Sequence, residues 1–86
     1  MNFEFDEVKS QSNKFKHGID FVKAQGLWED LNLIVIPAKT VDEPRFVIIA
    51  QIGAEMWSGI FTLRNEVVRI ISVRKSRQNE KEIYQR

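Results

Sequence analysis

Residues 45–74 offer three β-branched and aromatic runs divided by two tight turn signals, and this pattern restricts the fold more than any other stretch. The first run, Arg45 to Ile52, carries apolar residues on both faces. Gly53-Ala54-Glu55 turns the chain into Met56 to Leu63, and Arg64-Asn65-Glu66 turns it again, Asn65 being able to take the left-handed conformation. Val67 to Arg74 is the third run, with the composition of a central strand buried on both faces. Together they predict an antiparallel meander whose apolar side has to be covered by helices.

The covering elements should come from either end of the chain. Phe3 and Phe5 flank Glu4, a two-residue period that predicts a short first strand. Asp6 fits an N-cap, with a helix from Val8 to about Lys16 that stops at Gly18. Lys14, Lys16 and His17 suit the negative pole of that helix. Asp20 can cap a second helix, with Phe21, Val22, Ala24, Leu27 and Trp28 forming its apolar stripe and Gly26 weakening it by about 1 kcal/mol. Leu31 to Ile36 reads as a strand closed by Pro37, and 38–44 as a polar loop. After the meander, Ser76 can cap a last helix reaching Tyr84. The expected fold is one α+β domain over residues 1–86. It has two N-terminal helices, an antiparallel sheet of three to four strands and a short C-terminal helix.

Composition excludes several function classes. The 86 residues contain no cysteine and one histidine, so no thiolate metal site or disulfide framework is possible. No Gly-rich phosphate loop follows a strand, no serine sits on a nucleophile elbow, and no calcium-loop spacing occurs. Neither metal nor cofactor is expected. No apolar run approaches the roughly 20 residues of a membrane span, and the N-terminus lacks a basic leader region. A cytoplasmic protein with no membrane partner is the expectation. Net charge is +1, but residues 1–43 carry −3 and residues 44–86 carry +4, the latter cations being mostly arginine.

The positive charge is concentrated where the third run leaves the core. From Arg69 to Arg77 stand Arg69, Arg74, Lys75 and Arg77, with no acid among them. Guanidinium groups at the end of a sheet can hold a phosphodiester bidentately. Metal-free RNA cleavage needs the 2′-hydroxyl deprotonated, the extra charge of the transition state stabilised, and the 5′-oxygen protonated as it leaves. Arg45, Arg69, Arg74 or Lys75 could supply the stabilisation. The proton carrier could be His17, Glu43, or Tyr84 or Lys16 with a lowered pKa. Strand alternation turns Arg69 away from Val68 and Ile70, and sends Arg74 to the other side unless a bulge near Ser72–Arg74 intervenes. Trp28 and Trp57 fit a core better than a base-stacking platform.

Several segments together resemble the BrnT toxins, the ribonuclease halves of bacterial type II toxin–antitoxin systems. They are Phe-Glu-Phe-Asp (3–6), Lys-His-Gly-Ile-Asp-Phe (16–21), Trp-Glu-Asp (28–30), the stretch 36–46 from Ile36 to Phe46, and Val-Arg-Ile-Ile-Ser-Val-Arg-Lys-Ser-Arg (68–77). The resemblance implies a RelE-like fold and metal-independent RNA cleavage that inhibits translation. It implies an antitoxin of the BrnA type, whose ribbon-helix-helix domain carries the complex to operator DNA. It also implies active positions at Lys16, His17, Glu43, Arg45, Arg69, Arg74 and Tyr84. Lys75 and Arg77, from the cation run at the end of the sheet, are expected RNA contacts. Ala50, Asn65 and Leu31 depart from the family's usual Gly, Gly and Pro, and all three are structural positions. The alternative is a degenerate module that binds a partner or nucleic acid without cutting it.

Overall fold

The meander forms as expected, and the chain adds one strand to each side of it. The computed structural model describes residues 1–86. Its strands are β1 (Phe3–Glu4), β2 (Ile34–Ala38), β3 (Arg45–Ile52), β4 (Glu55–Arg64) and β5 (Val67–Lys75). They form one five-stranded sheet in the order β1-β5-β4-β3-β2. β1 runs parallel to β5, so the sheet is mixed rather than purely antiparallel. The middle strand is β4, not β5, and β5 is buried along one face while its other face stays half-open.

α1 (Glu7–His17) begins and ends where its capping residues predict. The Asp6 carboxylate accepts from the backbone N–H groups of Val8 and Lys9, and Gly18 closes the helix at φ 82°. Its docking is unusual, because the buried residues of α1 are Ser10 and Asn13 rather than an apolar stripe. Ser10 Oγ accepts from the Phe21 N–H at 2.9 Å. The Asn13 amide donates to Val73 O at 2.9 Å and accepts from Val73 N–H at 3.1 Å. It therefore pairs with the outer edge of β5 as a neighbouring strand would, beyond the point where β1 ends.

The second predicted helix is a 3-10 helix, Lys23–Glu29. Phe21, Ala24 and Leu27 are all buried, and their spacing of three matches the turn of a 3-10 helix better than 3.6 residues does. β2 also differs from expectation, starting three residues later and running through Pro37. It is an edge strand, where the missing N–H of proline can face away from the ladder. The core lies between the sheet and the 3-10 segment: Ile19, Phe21, Ala24 and Leu27 pack on Ile48, Ala50, Trp57, Phe61, Val68, Ile70 and Val73. Trp28 packs edge-on against Phe3 and Phe61, with ring centroids 5.1 and 5.2 Å apart. Both tryptophans belong to packing.

α2 (Gln78–Tyr84) crosses the opposite face and buries no residue of its own. Ser76 does not cap it. Its hydroxyl is buried 2.8 Å from Ser58 Oγ, and the N-terminus is closed instead by Glu80, which accepts from the Arg77 N–H at 2.8 Å.

Candidate active site

The geometry of the site is set by one extra residue in β5. Ile60 pairs with Ser72 and Phe61 with Ile70, so Ile71 is a bulge with no partner of its own on β4. Val68, Ile70 and Val73 are buried in the core, so Arg69, Ser72 and Arg74 turn to the opposite face. The bulge required to bring Arg69 and Arg74 to one side is present, centred just before the expected Ser72–Arg74 stretch. β3 contributes Arg45 to the same side, because its neighbour Phe46 packs into the core. Thr62 is the Cα partner of Arg69, and continuing the β3–β4 register by one residue places Arg45 opposite Thr62 from the other strand. Arg45 and Arg69 therefore flank Thr62, roughly 10 Å apart at the backbone.

Two grooves meet on this face. One, of about 340 Å³, is lined by the loop from Ala38 to Glu43 together with Arg45 and Ile60. The other, of about 190 Å³, lies between α1 and the bulge, with Lys9, Lys16 and His17 on one wall and Ile71 and Ser72 on the other. Ile60 and Ser72 are direct cross-strand partners, so the two grooves adjoin across β4 and β5. Lys16 and His17 line one groove and Glu43 and Arg45 the other, while Arg69 lines neither and lies on the same face of the sheet, opposite Thr62. Glu43 makes an exposed ion pair with Arg64 at 3.4 Å, and Arg69 a loose one with Glu4 at 3.8 Å. Both pairs are weak enough for a phosphate to displace. His17 is exposed on the last turn of α1, rather than packed in a core.

The other expected positions are tied into structure. Arg74 donates through both terminal nitrogens to the two oxygens of Glu80, each at 2.8 Å. Glu80 also accepts from Ser58 Oγ at 3.0 Å and from the Arg77 N–H. The Arg74 hydrogen bonds foremost, against the opposing effect of burial, hold the Glu80 carboxyl at a pKa of about 2. The same bonds push the Arg74 guanidinium up. Tyr84 lies apart from the grooves and donates its hydroxyl to Asp30 Oδ2 at 2.7 Å. That bond raises the phenol pKa, contrary to the lowered value a proton carrier would need. Burial works against the charge on Asp30, but hydrogen bonds from Tyr84 and from the Asn32 and Gln51 N–H groups keep its pKa low. Lys75 faces the other side of the sheet, opposite Trp57 and 3.8 Å from Glu55. Arg77 precedes α2 with an exposed side chain.

Sequence reasoning missed Asn13, Ser72 and Glu80. Glu80 was legible only as an early acid of a helix, and the Asn13 role needed the open edge of β5 to be known. No group of three or more His, Asp or Glu side chains is placed to hold a metal ion.

A comparison with curated proteins finds no match. The family model for the ribonuclease toxin BrnT of type II toxin–antitoxin systems matches residues 5–80, a span that includes both groove walls, the bulge and Glu80. The chain belongs to the BrnT family of type II toxin–antitoxin ribonuclease toxins.

Proposed function

We propose that this protein is the toxin of a bacterial type II system, an endoribonuclease that cuts RNA without a metal ion and so inhibits translation in the cytoplasm. The observation that carries the reading is the open face of the sheet, where Arg45 and Arg69 flank Thr62 and the Ile71 bulge turns Ser72 to the same side, beside the adjoining grooves that hold Lys16, His17 and Glu43. An RNA strand laid across β4 and β5 would place a phosphate near Ser72 and Ile60. Arg69 and Arg45 would stabilise the charge that develops on it, from side chains already held in place by the sheet. Among the titratable groove residues, Lys16, His17 and Glu43 are the candidates to move the two protons, His17 from the α1 groove and Glu43 from the other. Arg74 acts in this scheme as a positioning residue, fixing α2 beside the cleft. The RelE-like assignment fits the arrangement of a sheet with its helices.

Family membership implies an antitoxin partner. We propose that it is of the BrnA type, that its ribbon-helix-helix domain binds the operator, and that this chain meets DNA only within that complex.

The test is cleavage of single-stranded RNA by the purified toxin with and without EDTA. Cleavage that persists in EDTA and disappears in Arg69→Ala supports the proposal. Abolition by EDTA removes the metal-free mechanism, and intact RNA at high concentrations of folded protein removes the nuclease. One observation favours a second reading, a module that binds without cutting. Two expected active positions, Arg74 and Tyr84, are spent on structural contacts. That reading gains if RNA is bound but never cut.

A further inference from the structure

The loop that carries Glu43 is fastened from outside itself. Residues 39–44 join β2 to β3 and are closed by the Ala38–Arg45 pair. The loop exceeds the roughly two to five residues usual in a hairpin, so no standard tight turn fixes its shape. Two threonine hydroxyls hold it instead, at consecutive carbonyls. Thr40 Oγ1, within the loop, donates to Glu43 O at 2.7 Å. Thr62 Oγ1, on the middle strand β4, donates to Pro44 O at 2.6 Å. The β3–β4 pairing ends at Phe46 and Phe61, so the Thr62 hydroxyl carries the attachment past the last paired residues. Pro44 stands between Glu43 and Arg45, and Thr62 is the cross-strand partner of Arg69.

We propose that Thr62 is a positioning residue for RNA cleavage, its hydroxyl holding Glu43 and Arg45 in place relative to Arg69 on the open face. The inference rests on the ribonuclease reading and adds to that site a residue that never touches the substrate. Thr62 is 1% exposed, so RNA cannot reach it. Its branched Cβ restricts χ1, which aims the hydroxyl with little rotamer freedom. A buried hydroxyl needs a partner, and the Pro44 carbonyl is the one it has. Pro44 is an exposed residue, where water can replace a lost donor. The bond therefore contributes placement more than stability. Placement matters because a shift of about 1 Å in a reacting group can cost about a hundred-fold in rate.

The experiment measures the kinetics of single-stranded RNA cleavage and the thermal midpoint for wild type, Thr62→Val, Thr62→Ser, Arg45→Ala and the double variant Thr62→Val with Arg45→Ala. Valine keeps the branched shape and removes only the hydroxyl, so Thr62→Val should fold like wild type. Its kcat should fall about ten- to a hundred-fold with KM little changed. Thr62→Ser restores the donor and should recover most of the rate. In the double variant the two losses should be less than multiplicative, because part of what the hydroxyl holds in place is already gone. An unchanged kcat in Thr62→Val, a serine variant as slow as the valine one, or fully multiplicative losses each overturn the proposal. So does failure of Thr62→Val to fold, which would make the bond a structural one. If wild type itself leaves RNA intact, the ribonuclease reading falls and the role of Thr62 with it, whereas wild-type cleavage matched by Thr62→Val removes only Thr62.

Discussion

The same three strands, β3, β4 and β5, present one face held together by packing and another held together by charge. On the packed face, Leu27 and Ala24 of the 3-10 segment lie against Ile48, Ala50, Trp57 and Val73, all fully or nearly buried. Gly59 sits beneath them because a Cβ there would stand 3.3 Å from Ile48 Cγ2. On the other face, α2 buries no side chain and is fastened through Arg74, Glu80, Ser58 and Ser76. Strand alternation sorts the residues, and a single bulge keeps the sorting right for Arg74 as well as Arg69. Packing is short-ranged and indifferent to pH, whereas ion pairs can be exchanged for a ligand's charges. For the proposed ribonuclease, keeping the two functions on separate faces lets the charged face exchange its pairs for a phosphate without loosening the core.

The largest effect should come from breaking the packed face. Leu27→Ala removes a fully buried side chain and should destabilise the fold by about 2–5 kcal/mol in denaturant unfolding. Any nuclease activity per folded molecule should stay close to wild type at low temperature. If activity per folded molecule collapses with stability intact, the two faces are not separable.

Next in size is a change confined to the charged face. Arg69→Ala should lower RNA cleavage by about two to three decades, equivalent to about 2.7–4 kcal/mol of barrier. Its thermal midpoint should barely move, since the loose pair with Glu4 at 3.8 Å is partly solvated. Arg74→Ala should differ from it in kind, losing stability first because Glu80 would be left without its main partner. If both variants keep stability and lose activity equally, Arg74 reaches the substrate after all.

Much of this contrast was legible in the residues. The meander, the α1 caps, the burial of Val68 and Ile70 and the outward turn of Arg69 follow from local periodicity and turn chemistry. The position of the bulge was not legible, because Arg-Ile-Ile-Ser-Val-Arg reads equally well as a regular strand. Its location depends on which residues of β4 lie opposite. The 3-10 segment hid behind a stripe compatible with either period until the burial of Phe21, Ala24 and Leu27 resolved it. The roles of Asn13, Glu80 and Tyr84 depend on partners between 6 and 60 residues away in sequence, which no local pattern reports. Of the candidate site, the cations of the open face were readable. Which of them stand free and which are locked was not.

The charged face can also be weakened by pH alone. Glu80 has its pKa lowered from 4.5 to about 2 in the fold. A depressed carboxyl contributes stability above its unfolded pKa and loses it as pH falls through the folded one, so the contribution fades between pH 4.5 and about 2. It amounts to at most about 3 kcal/mol, less whatever solvent screening removes from the partly exposed Arg74. Unfolding measured across that window should show a stability loss in wild type that is largely absent in Glu80→Gln. A parallel loss in both would place the acid sensitivity elsewhere.

The smallest effect concerns the hairpin that joins β4 to β5 and belongs to neither face. Asn65 and Glu66 both have positive φ, 51° and 67°, which is the geometry of a tight two-residue turn. Asparagine accepts that conformation readily, but glutamate is held there against a steric penalty of roughly 1–2 kcal/mol. Glycine carries no such penalty, though it gives back part of the gain as unfolded-state entropy. Glu66→Gly should therefore raise stability by about 0.5–1 kcal/mol in chemical denaturation. Glu66 is exposed and lines neither groove, so RNA cleavage should be unchanged. A gain in stability accompanied by a fall in activity would mean that this hairpin sets the pitch of β5 at its bulge. Arg69 would then be positioned by the strain in the turn as much as by the sheet.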